Sequence, residues 1–389
     1  MIIKSFKYRL YPTQVQQRQL EQTVETCRRW YNLCLAERKV AWENEHRSVN
    51  RYEQLRKVKE YRKENEYAGK VHSHVLQLVV TDLHRAFEAF FRRVKEGETP
   101  GYPRFKGRNR FDSFGLKEYG NGFKVDGRRL YLNGIGRVRV RWHRRVEGRI
   151  KTVRICRKAG EWYACFACEV EEKKLPATGR EIGVDVGIHH LLATSENEVV
   201  ENPHWYRDEE RRLRVAQRRV SRRKLGGANR RKAVRVLQCR HVHIANRRKD
   251  YLHEWIHYLV THYDRIAVED LRIRGMVRNH HLSKSILDAG WGSLKRRLID
   301  KAAEAGRQVY LVNPAYTSQT CSECGKQFSD LRLADRWVKC DCGLSLDRDV
   351  NAAQNVLKRA GHVRWGESTA NGLPTGVLRA RLPQEAPPL

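Results

Sequence analysis

The sequence predicts an α/β protein of several domains. From about residue 180 onward, apolar strand-like runs alternate with helical patterns, which is typical of an α/β layer. Residues 1–10 and 111–170 instead show short segments of alternating polar and apolar residues, which favour strands of an antiparallel β unit. A chain of 389 residues is also long for a single domain, so we expect two or three units.

The charge of the chain predicts a polyanionic partner. It contains 78 Lys and Arg against 45 Asp and Glu, a formal net charge of +33. Such a charge repels itself in the compact state unless a polyanion neutralises it, and nucleic acid is the obvious one. An anionic membrane is the alternative, but no apolar run approaches the roughly 18 residues that a transmembrane helix needs. We therefore expect no membrane partner.

The thiols are expected to be reduced. The first residues, "MIIKSFKYRLYPT", lack the apolar core of a secretory signal, so we expect a cytoplasmic protein. Disulfides are rare in that compartment. The ten cysteines are therefore predicted to be core residues or metal ligands.

The first half of the chain contains a long helical region next to its β unit. A helix is expected to open at Pro12 and Thr13, and helical patterns continue to about Glu96. Cys27 and Cys34 lie near the apolar stripe of the first helix and are interpreted as buried core residues. That stripe recurs at steps of three and four residues and consists of Leu20, Val24, Cys27, Tyr31 and Leu35.

The second half begins with "REIGVDVGIHHLLATS", in which an apolar strand ends at Asp185, turns at Gly187 and is followed by a second strand. A long basic helical pair follows at about 203–262. The segments "DRIAVEDL" and "RQVYLVNP" are then predicted as buried strands on either side of a helix closed by Gly306.

Four cysteines near the C-terminal end have the spacing of a metal site. Cys321 and Cys324 lie in "CSECGK", and Cys340 and Cys342 lie in "KCDCGL". Two thiolate pairs on glycine-containing turns suit a structural, tetrahedral Zn²⁺ site with four protein ligands. The alternative is four free thiols, but a polar segment of this size would then have little reason to fold.

Two other groups have ligand-like spacing but are not expected to bind a metal. Cys165 and Cys168 lie in an alternating strand, where residues three apart point to opposite faces. His241 and His243 lie two positions apart in a basic helical segment, which places them on different faces. We expect the cysteines to be core or surface thiols and the histidines to face solvent or RNA.

Three carboxylates occupy positions where a charge is costly without a partner. Asp185 and Glu269 end apolar strands, and Asp349 lies in the first turn of a helix that follows the cysteine loop. Asp347 is predicted to be the N-cap of that helix. Three acids from separate segments of a basic chain suggest a Mg²⁺ site for phosphodiester cleavage. For each acid alone, an N-cap or a surface ion pair remains the alternative.

Several motifs, in order along nearly the whole chain, resemble signatures of the TnpB (OrfB) family, transposon-encoded relatives of the type V CRISPR nucleases. They are "KYRLYPT", "PRFKGRNRFDSF", "GVDVG", "AVEDLRIRGMVRNHHLSKSILDAGWG", "NPAYTSQTCSECG" and "DRDVNAAQN". The resemblance implies a split RuvC-like nuclease domain of RNase H fold with an inserted zinc ribbon. It also implies that Asp185, Glu269 and Asp349 are catalytic and bind Mg²⁺.

The resemblance further implies partners and a location. Family members bind a noncoding RNA made from the transposon end and use it to cut double-stranded DNA beside a short adjacent motif. Base pairing reads the sequence while the protein reads duplex shape and backbone. We expect a monomer with its RNA, with a dimer as the alternative, in the cytoplasm of a prokaryote near the nucleoid.

The same resemblance implies a domain plan. A β-barrel-like wedge domain would contain an inserted helical recognition lobe, and the nuclease domain would contain the zinc-ribbon insert that binds target nucleic acid. The expected ranges are 1–10 and 98–178 for the wedge, 11–97 for the recognition lobe, 179–315 and 343–362 for the nuclease, 316–342 for the ribbon and 363–389 for a disordered tail.

Residues that contact the adjacent DNA motif are expected around "VHSHVLQLVV". Carried over from that match they are Ser73, His74 and Gln77, with Tyr52 added more loosely. The alternative is the polar start of an ordinary helix. One departure from the family pattern is the Cys340-Asp341-Cys342 knuckle, which is one residue shorter than usual.

Two other functions are weighed against an RNA-guided endonuclease. A nuclease-inactive, RNA-guided DNA-binding regulator would have lost one or more of the three acids, and all three are present. A transposition accessory protein or transposase would carry a His-x-His metal pair on a strand. His241 and His243 have that spacing, but their segment is predicted to be helical.

Overall fold

A computed structural model describes residues 1–108, 110–332 and 334–362. The segment 363–389, expected to be a disordered tail, lies outside the described residues. The described chain forms two compact units, Met1–Glu171 and the chain from Glu172 onward. No helix in the described ranges is both long enough and apolar enough to cross a membrane.

The first unit is a seven-stranded antiparallel sheet with four helices inserted after its first strand. Its helices are α1 (Gln14–Glu45), α2 (Arg51–Glu64), α3 (Glu66–Gly69) and α4 (Ser73–Lys95). Its strands are β1 (Ile2–Tyr11), β2 (Ser113–Leu116), β3 (Phe123–Asp126), β4 (Arg129–Leu132), β5 (Gly136–Arg141), β6 (Arg149–Lys158) and β7 (Glu161–Val170).

The strand order in that sheet is β2-β6-β7-β1-β5-β4-β3. β1 lies at its centre and pairs with β7 from Ile2–Val170 to Leu10–Trp162. A barrel would need β2 and β3, the strands at the two ends of this order, to come together. Closure into a barrel therefore remains a prediction. One hydrophobic core joins the sheet to α1 and α4, and Cys27 and Cys34 are buried in it as predicted.

The sequence explains where the helical insertion begins. Thr13 accepts a hydrogen bond from the Gln16 amide, and the Gln16 side chain accepts one from the Thr13 amide, which is a capping box. Further along, α2 opens with a second capping box, formed by Asn50 and Glu53, and α4 opens at His72, whose ring accepts a hydrogen bond from the His74 amide. The single helical region predicted by pattern is therefore divided at its capping residues.

The second unit is built on a five-stranded mixed sheet. Its strands are β8 (Glu181–Asp185), β9 (His190–Thr194), β10 (Val199–Glu201), β11 (Arg265–Glu269) and β12 (Gln308–Val312), followed by the hairpin β13 (Trp337–Lys339) and β14 (Ser345–Asp347). Its helices are α5 (Trp205–Ser221), α6 (Ala228–His262), α7 (Ile273–Met276), α8 (His280–Ala289), α9 (Trp291–Ala305) and α10 (Arg348–His362).

The order of the main sheet is β10-β9-β8-β11-β12. β8, β11 and β12 run parallel, and β9 and β10 are antiparallel to their neighbours. Helices α6 and α9 pack together in one core, while α10 lies against β8, β11 and β12. The basic helical pair predicted from sequence is α5 and α6, and the connection between them contains Gly226 and Gly227.

Candidate metal centres

Two acidic side chains lie at the same edge of the main sheet of the second unit. β8 ends at Asp185 and β11 ends at Glu269, and the two parallel strands pair up to Val184 and Val268. The carboxyl ends of adjacent parallel strands meet at one edge, so these acids are neighbours. Each is only 9% exposed.

The third acid, Asp349, is brought to this edge by helix α10. Asp347 caps the helix, because its Oδ1 accepts hydrogen bonds from the amides of Asp349 at 2.8 Å and Val350 at 3.3 Å. The predicted N-cap is therefore confirmed. Asp349 is half-buried in the first helical turn.

A glycine in β8 allows α10 to approach the sheet closely. A Cβ added to Gly183 would lie 2.1 Å from the Ala353 carbonyl oxygen and 2.8 Å from Leu357 Cβ. No side chain fits in that space, so the glycine of "GVDVG" sets the distance between β8 and α10. This close packing places Asp349 beside the end of β8.

The electrostatics place Asp185 under the influence of the other two carboxylates. The pKa of Asp185 is raised well above its ordinary value, first by burial and then by the negative charges of Glu269 and Asp349. The amide of Val186 and the Arg348 guanidinium act in the opposite direction. Burial also raises the pKa of Glu269, against a hydrogen bond from Thr317 and the positive charge of Arg359. Such a cluster of acids favours a cation.

A histidine that sequence reasoning missed contacts the third acid. His190 Nδ1 lies 3.1 Å from Asp349 Oδ2, and both side chains are largely buried. Ligand atoms of His189, His190 and Asp349 lie within 4.8 Å of one another. Among the described residues, the carboxylate oxygens of Asp185, Glu269 and Asp349 do not form a group in which all ligand atoms lie within 4.8 Å of one another. The signal was "GIHHLL" directly after the turn at Gly187.

A threonine that sequence reasoning also missed contacts the second acid. Thr317 Oγ1 lies 2.5 Å from Glu269 Oε1, and Thr317 is 3% exposed. It begins a short 3₁₀ turn, Thr317–Gln319, between β12 and the cysteine loop. Its signal was its place in "NPAYTSQTCSECG", but no local pattern links it to Glu269.

The four predicted cysteine ligands come together. The Sγ atoms of Cys321 and Cys342 are 3.6 Å apart, those of Cys324 and Cys340 are 3.5 Å apart, and ligand atoms of all four lie within 4.8 Å of one another. The shorter second knuckle is closed by a hydrogen bond from Gly343 N to Cys340 O at 2.9 Å, and the first is closed by one from Gly325 N to Cys321 O at 3.1 Å. The cluster can hold one metal ion.

The groups not expected to bind a metal are placed as predicted. Cys165 and Cys168 lie on β7, where Cys168 is buried and Cys165 is 4.0 Å from Cys156 on the neighbouring strand. His241 and His243 are exposed on α6 and do not lie on a strand. This placement weighs against a His-x-His transposase site.

The residues expected to contact the DNA motif lie in the helical part of the first unit. Tyr52 is 63% exposed in the first turn of α2. Ser73, His74 and Gln77 are half-buried in the first turns of α4, and His74 Nε2 lies 3.4 Å from Glu118 Oε2. Their contact with DNA remains a prediction.

A strongly basic surface is carried by α5 and α6. Between residues 211 and 249 there are 16 Lys and Arg and no Asp or Glu. We call this segment the basic arm. Near the turn, Val215 lines a surface groove together with four arginines, which are Arg218, Arg219, Arg222 and Arg223. The arrangement suits a phosphate backbone.

Three family models match the chain. They are a probable transposase model at residues 165–280, a Cas12f1-like TNB domain at 291–356 and a helix-turn-helix domain at 1–47. The first two span the acids and the cysteines. In the structure, 1–47 is not a helix-turn-helix but a strand, β1, followed by the single long helix α1.

Among solved structures, a cryo-EM Cas12f1-sgRNA-target DNA complex aligns with 92% of this chain and 100% of that chain. Its sequence identity is 13% and its TM-score is 0.37, which is too low to support a conclusion. A Cas12f1 endodeoxyribonuclease from Sulfoacidibacillus thermotolerans is 27% identical over 51% of this chain and 50% of its own length.

Two relatives match over nearly their full length. A putative RNA-guided DNA endonuclease from Streptomyces pristinaespiralis is 35% identical over 91% of this chain and 88% of its own. The putative RNA-guided DNA endonuclease InsQ from Escherichia coli is 31% identical over 96% of both chains. On this identity and coverage, the chain belongs to the OrfB (TnpB) family.

Proposed function

We propose that this protein is an RNA-guided DNA endonuclease of a transposon, which hydrolyses phosphodiester bonds in double-stranded DNA next to a short adjacent motif. The proposal is carried by the meeting of Asp185, Glu269 and Asp349 at one sheet edge, in a chain whose relatives over most of its length are named putative RNA-guided DNA endonucleases. A nuclease-inactive regulator is disfavoured, since all three acids are present and the negative charges of Glu269 and Asp349 act on Asp185.

The donor set fits Mg²⁺. The raised pKa of Asp185, caused by burial and by two neighbouring carboxylates, reflects a negative cluster that a hard cation would stabilise. In two-metal nuclease sites the ions lie about 3.5–4 Å apart, so their ligands need not converge on one point. When bound, such ions activate the attacking water and stabilise the leaving oxygen.

The protein's part in this reaction is to hold the acids in place. Strand ends fix Asp185 and Glu269, the Asp347 cap fixes the first turn that carries Asp349, and His190 restrains the Asp349 carboxylate. Because packing holds this backbone in place, the carboxylates are already oriented and need not reorganise when substrate binds.

The four-cysteine cluster fits Zn²⁺ as a structural ion. A tetrahedral ion with Zn–S bonds of about 2.3 Å holds its sulfur atoms about 3.8 Å apart, close to the 3.6 Å and 3.5 Å found for the two pairs. The cluster would stabilise the insert 316–342, which we propose binds target nucleic acid.

The partners follow from the charge and from the family. We propose that the basic arm contributes to holding a transposon-derived guide RNA, and that Tyr52, Ser73, His74 and Gln77 contact the adjacent motif of the target. The recognition lobe would then be 11–97, the wedge 1–10 with 98–178, and the nuclease 179–315 with 343–362. The oligomeric state and the cytoplasmic location stay predictions.

The test is to express the chain with its flanking transposon-end DNA, purify it and sequence the RNA that co-purifies. A single abundant noncoding species is expected, and its variable 3′ end defines a target for a cleavage assay with Mg²⁺. Random cellular RNA alone would contradict the guided function.

Two asparagine variants then test the site. Asp185→Asn should lower the cleavage rate by about 10³-fold or more, since several kcal/mol of charge stabilisation are lost, while RNA binding stays unchanged. The matched control is Asp270→Asn, which changes an exposed acid next to Glu269 that pairs with Lys295. Cleavage by the Asp185 variant at the control's rate would refute the catalytic assignment.

A further inference from the structure

We infer that Thr317 is a positioning residue that orients the carboxylate of Glu269 for metal binding and ties it to the helix that carries Asp349. This inference rests on the proposed nuclease function. It assigns a role to a side chain outside the three acids and the four cysteines. The evidence is the set of contacts that Thr317 makes on its two sides.

On one side, Thr317 acts on the Glu269 carboxylate. Its Oγ1 lies 2.5 Å from Glu269 Oε1 and 3.0 Å from the Pro314 carbonyl oxygen. A hydroxyl has one proton, and the shorter, charge-assisted bond to the carboxylate is the stronger one. The terminal torsion of a glutamate is broad, so its rotamer alone does not fix the carboxylate plane. The hydrogen bond from the Thr317 hydroxyl fixes this plane, because it holds Oε1 of the Glu269 carboxylate.

On the other side, Thr317 is held by α10. The Asn355 side-chain amide donates to the Thr317 carbonyl oxygen at 2.9 Å and to the Thr320 carbonyl oxygen at 2.6 Å. Asn355 follows Asp349 by six positions on the same helix. The Glu269 carboxylate is thus joined to the helix of Asp349 through one residue.

A second amide of α10 holds the same segment where it enters the cysteine cluster. Asn351, which is fully buried, donates to the Thr320 carbonyl oxygen at 2.8 Å and accepts from the Ser322 amide at 2.8 Å. Cys321 lies between those two residues. Buried amide networks whose members are all paired are rigid. Thr317 therefore sits in a segment whose position is fixed from both ends.

The experiment uses the purified protein–RNA complex with Fe²⁺ in place of Mg²⁺. With hydrogen peroxide and ascorbate added, bound Fe²⁺ reduces the peroxide to hydroxyl radicals, and ascorbate returns the Fe³⁺ formed to Fe²⁺. The radicals cut the polypeptide near the ion, so cleavage near residues 185, 269 and 349 reports metal occupancy without DNA cleavage. Groups that orient metal ligands typically contribute 10–100-fold to metal affinity. Thr317→Val keeps the shape of the side chain but removes the hydroxyl, and should need 10–100-fold more Fe²⁺ for half-maximal cutting.

Two variants serve as comparisons. Thr317→Ser keeps the hydroxyl and should restore the wild-type Fe²⁺ dependence. Thr320→Val removes a hydroxyl from the same segment, one that bonds the Tyr316 carbonyl oxygen at 2.8 Å and no carboxylate, and should also behave as wild type. Zinc content and the thermal unfolding midpoint are measured for each, and Thr317→Cys, with its weak donor, replaces Thr317→Val if the latter does not fold.

The outcomes separate the inference from the proposed function. Loss of polypeptide cutting in Glu269→Gln together with unchanged cutting in Thr317→Val overturns the role of Thr317 and leaves the metal site standing. Unchanged cutting in Glu269→Gln overturns the metal site itself, and the inference with it. A higher Fe²⁺ requirement for polypeptide cutting in Thr317→Val, together with a wild-type requirement in Thr320→Val, supports the inference.

Discussion

Arg307 and Asp264 form an ion pair at the base of the main sheet, with Arg307 Nη1 2.5 Å from Asp264 Oδ1. The Arg307 side chain is 3% exposed and also donates to the Pro176 carbonyl oxygen at 2.8 Å. Asp264 in turn accepts from the amides of Thr178 and Gly179. The pair therefore joins the start of β12 to the end of α6 and to the segment that leads into β8.

The first prediction concerns stability. Asp264→Asn keeps the shape of the side chain but leaves the Arg307 guanidinium buried without its counter-charge, which typically costs about 3 kcal/mol or more. Chemical denaturation of the purified protein at neutral pH should show this loss. The matched control is Lys284→Met, which breaks an exposed pair with Glu210 and should change little. Equal effects in the two variants would contradict the structural role of Arg307.

The second prediction concerns acid. Burial acts to raise the pKa of Asp264, but the amides of Thr178 and Gly179 and the Arg307 guanidinium together hold it below its ordinary value. A lowered folded-state pKa contributes stability that is present above the unfolded pKa of about 3.9 and is lost as the pH falls through the folded value. The stability difference between wild type and Asp264→Asn should therefore shrink from neutral pH to about pH 3. A difference independent of pH would argue against this linkage.

The third prediction concerns the close approach of β8 and α10. Gly183→Ala places a methyl group against the backbone of Ala353, which cannot yield without moving the helix. Overpacking of this kind costs about 1–3 kcal/mol, and the displacement of Asp349 should also lower DNA cleavage sharply. Gly275→Ala is the control, since its added Cβ meets open space. Wild-type cleavage and stability in the Gly183 variant would be incompatible with the packing described.

The fourth prediction concerns the removal of zinc. A chelator strong enough to strip the ion should unfold the segment that contains the cysteines and loosen α10, because the two are joined through Asn351 and Asn355. Limited proteolysis should then cut between about 316 and 347, and DNA cleavage should be lost. Cys324→Ser should reproduce this result, whereas Cys239→Ser, an exposed cysteine on α6, should not. Full activity in protein shown to be free of metal at this cluster would contradict a structural ion.

The fifth prediction concerns the basic arm. Replacing four of its arginines, Arg218, Arg219, Arg222 and Arg223, with Gln should weaken guide RNA binding. The slope of log affinity against log salt concentration should fall by about 1 for each arginine that contacts a phosphate. Gln217→Ala with Gln238→Ala changes exposed uncharged residues of the same helices and serves as the control. An unchanged salt slope in the arginine variant would place the RNA elsewhere.

Local patterns were sufficient for part of the site. The apolar runs that end in Asp185 and Glu269 signalled buried strand ends, the spacing of Asp347 to the following helix signalled a cap, and paired cysteines on glycine turns signalled a cluster. Each of these signals is contained in a stretch of a few residues. The family resemblance then linked the three acids to one site.

Other contacts could not be predicted because they depend on which distant segments become neighbours. Thr317 and Glu269 are 48 positions apart, and His190 and Asp349 are 159 apart. Their contacts follow from the strand order and from the packing of α10. Neither of these can be predicted from the local periodicity of the sequence. The same holds for the centre of the first sheet, where β1 pairs with β7 across the whole helical insertion.

The position of α10 at the end of the described chain has a consequence for the order of synthesis. β8 and β11, with two of the three acids, leave the ribosome well before residue 348, and so does the basic arm. Helix α10 covers the sheet face at Gly183 and completes the small core that includes Ala267 and Val356. Both therefore stay incomplete until this helix has been synthesised. A nascent or prematurely terminated chain therefore carries the arm and two acids but lacks the third. Translation therefore brings the three acids together only after α10 has been synthesised.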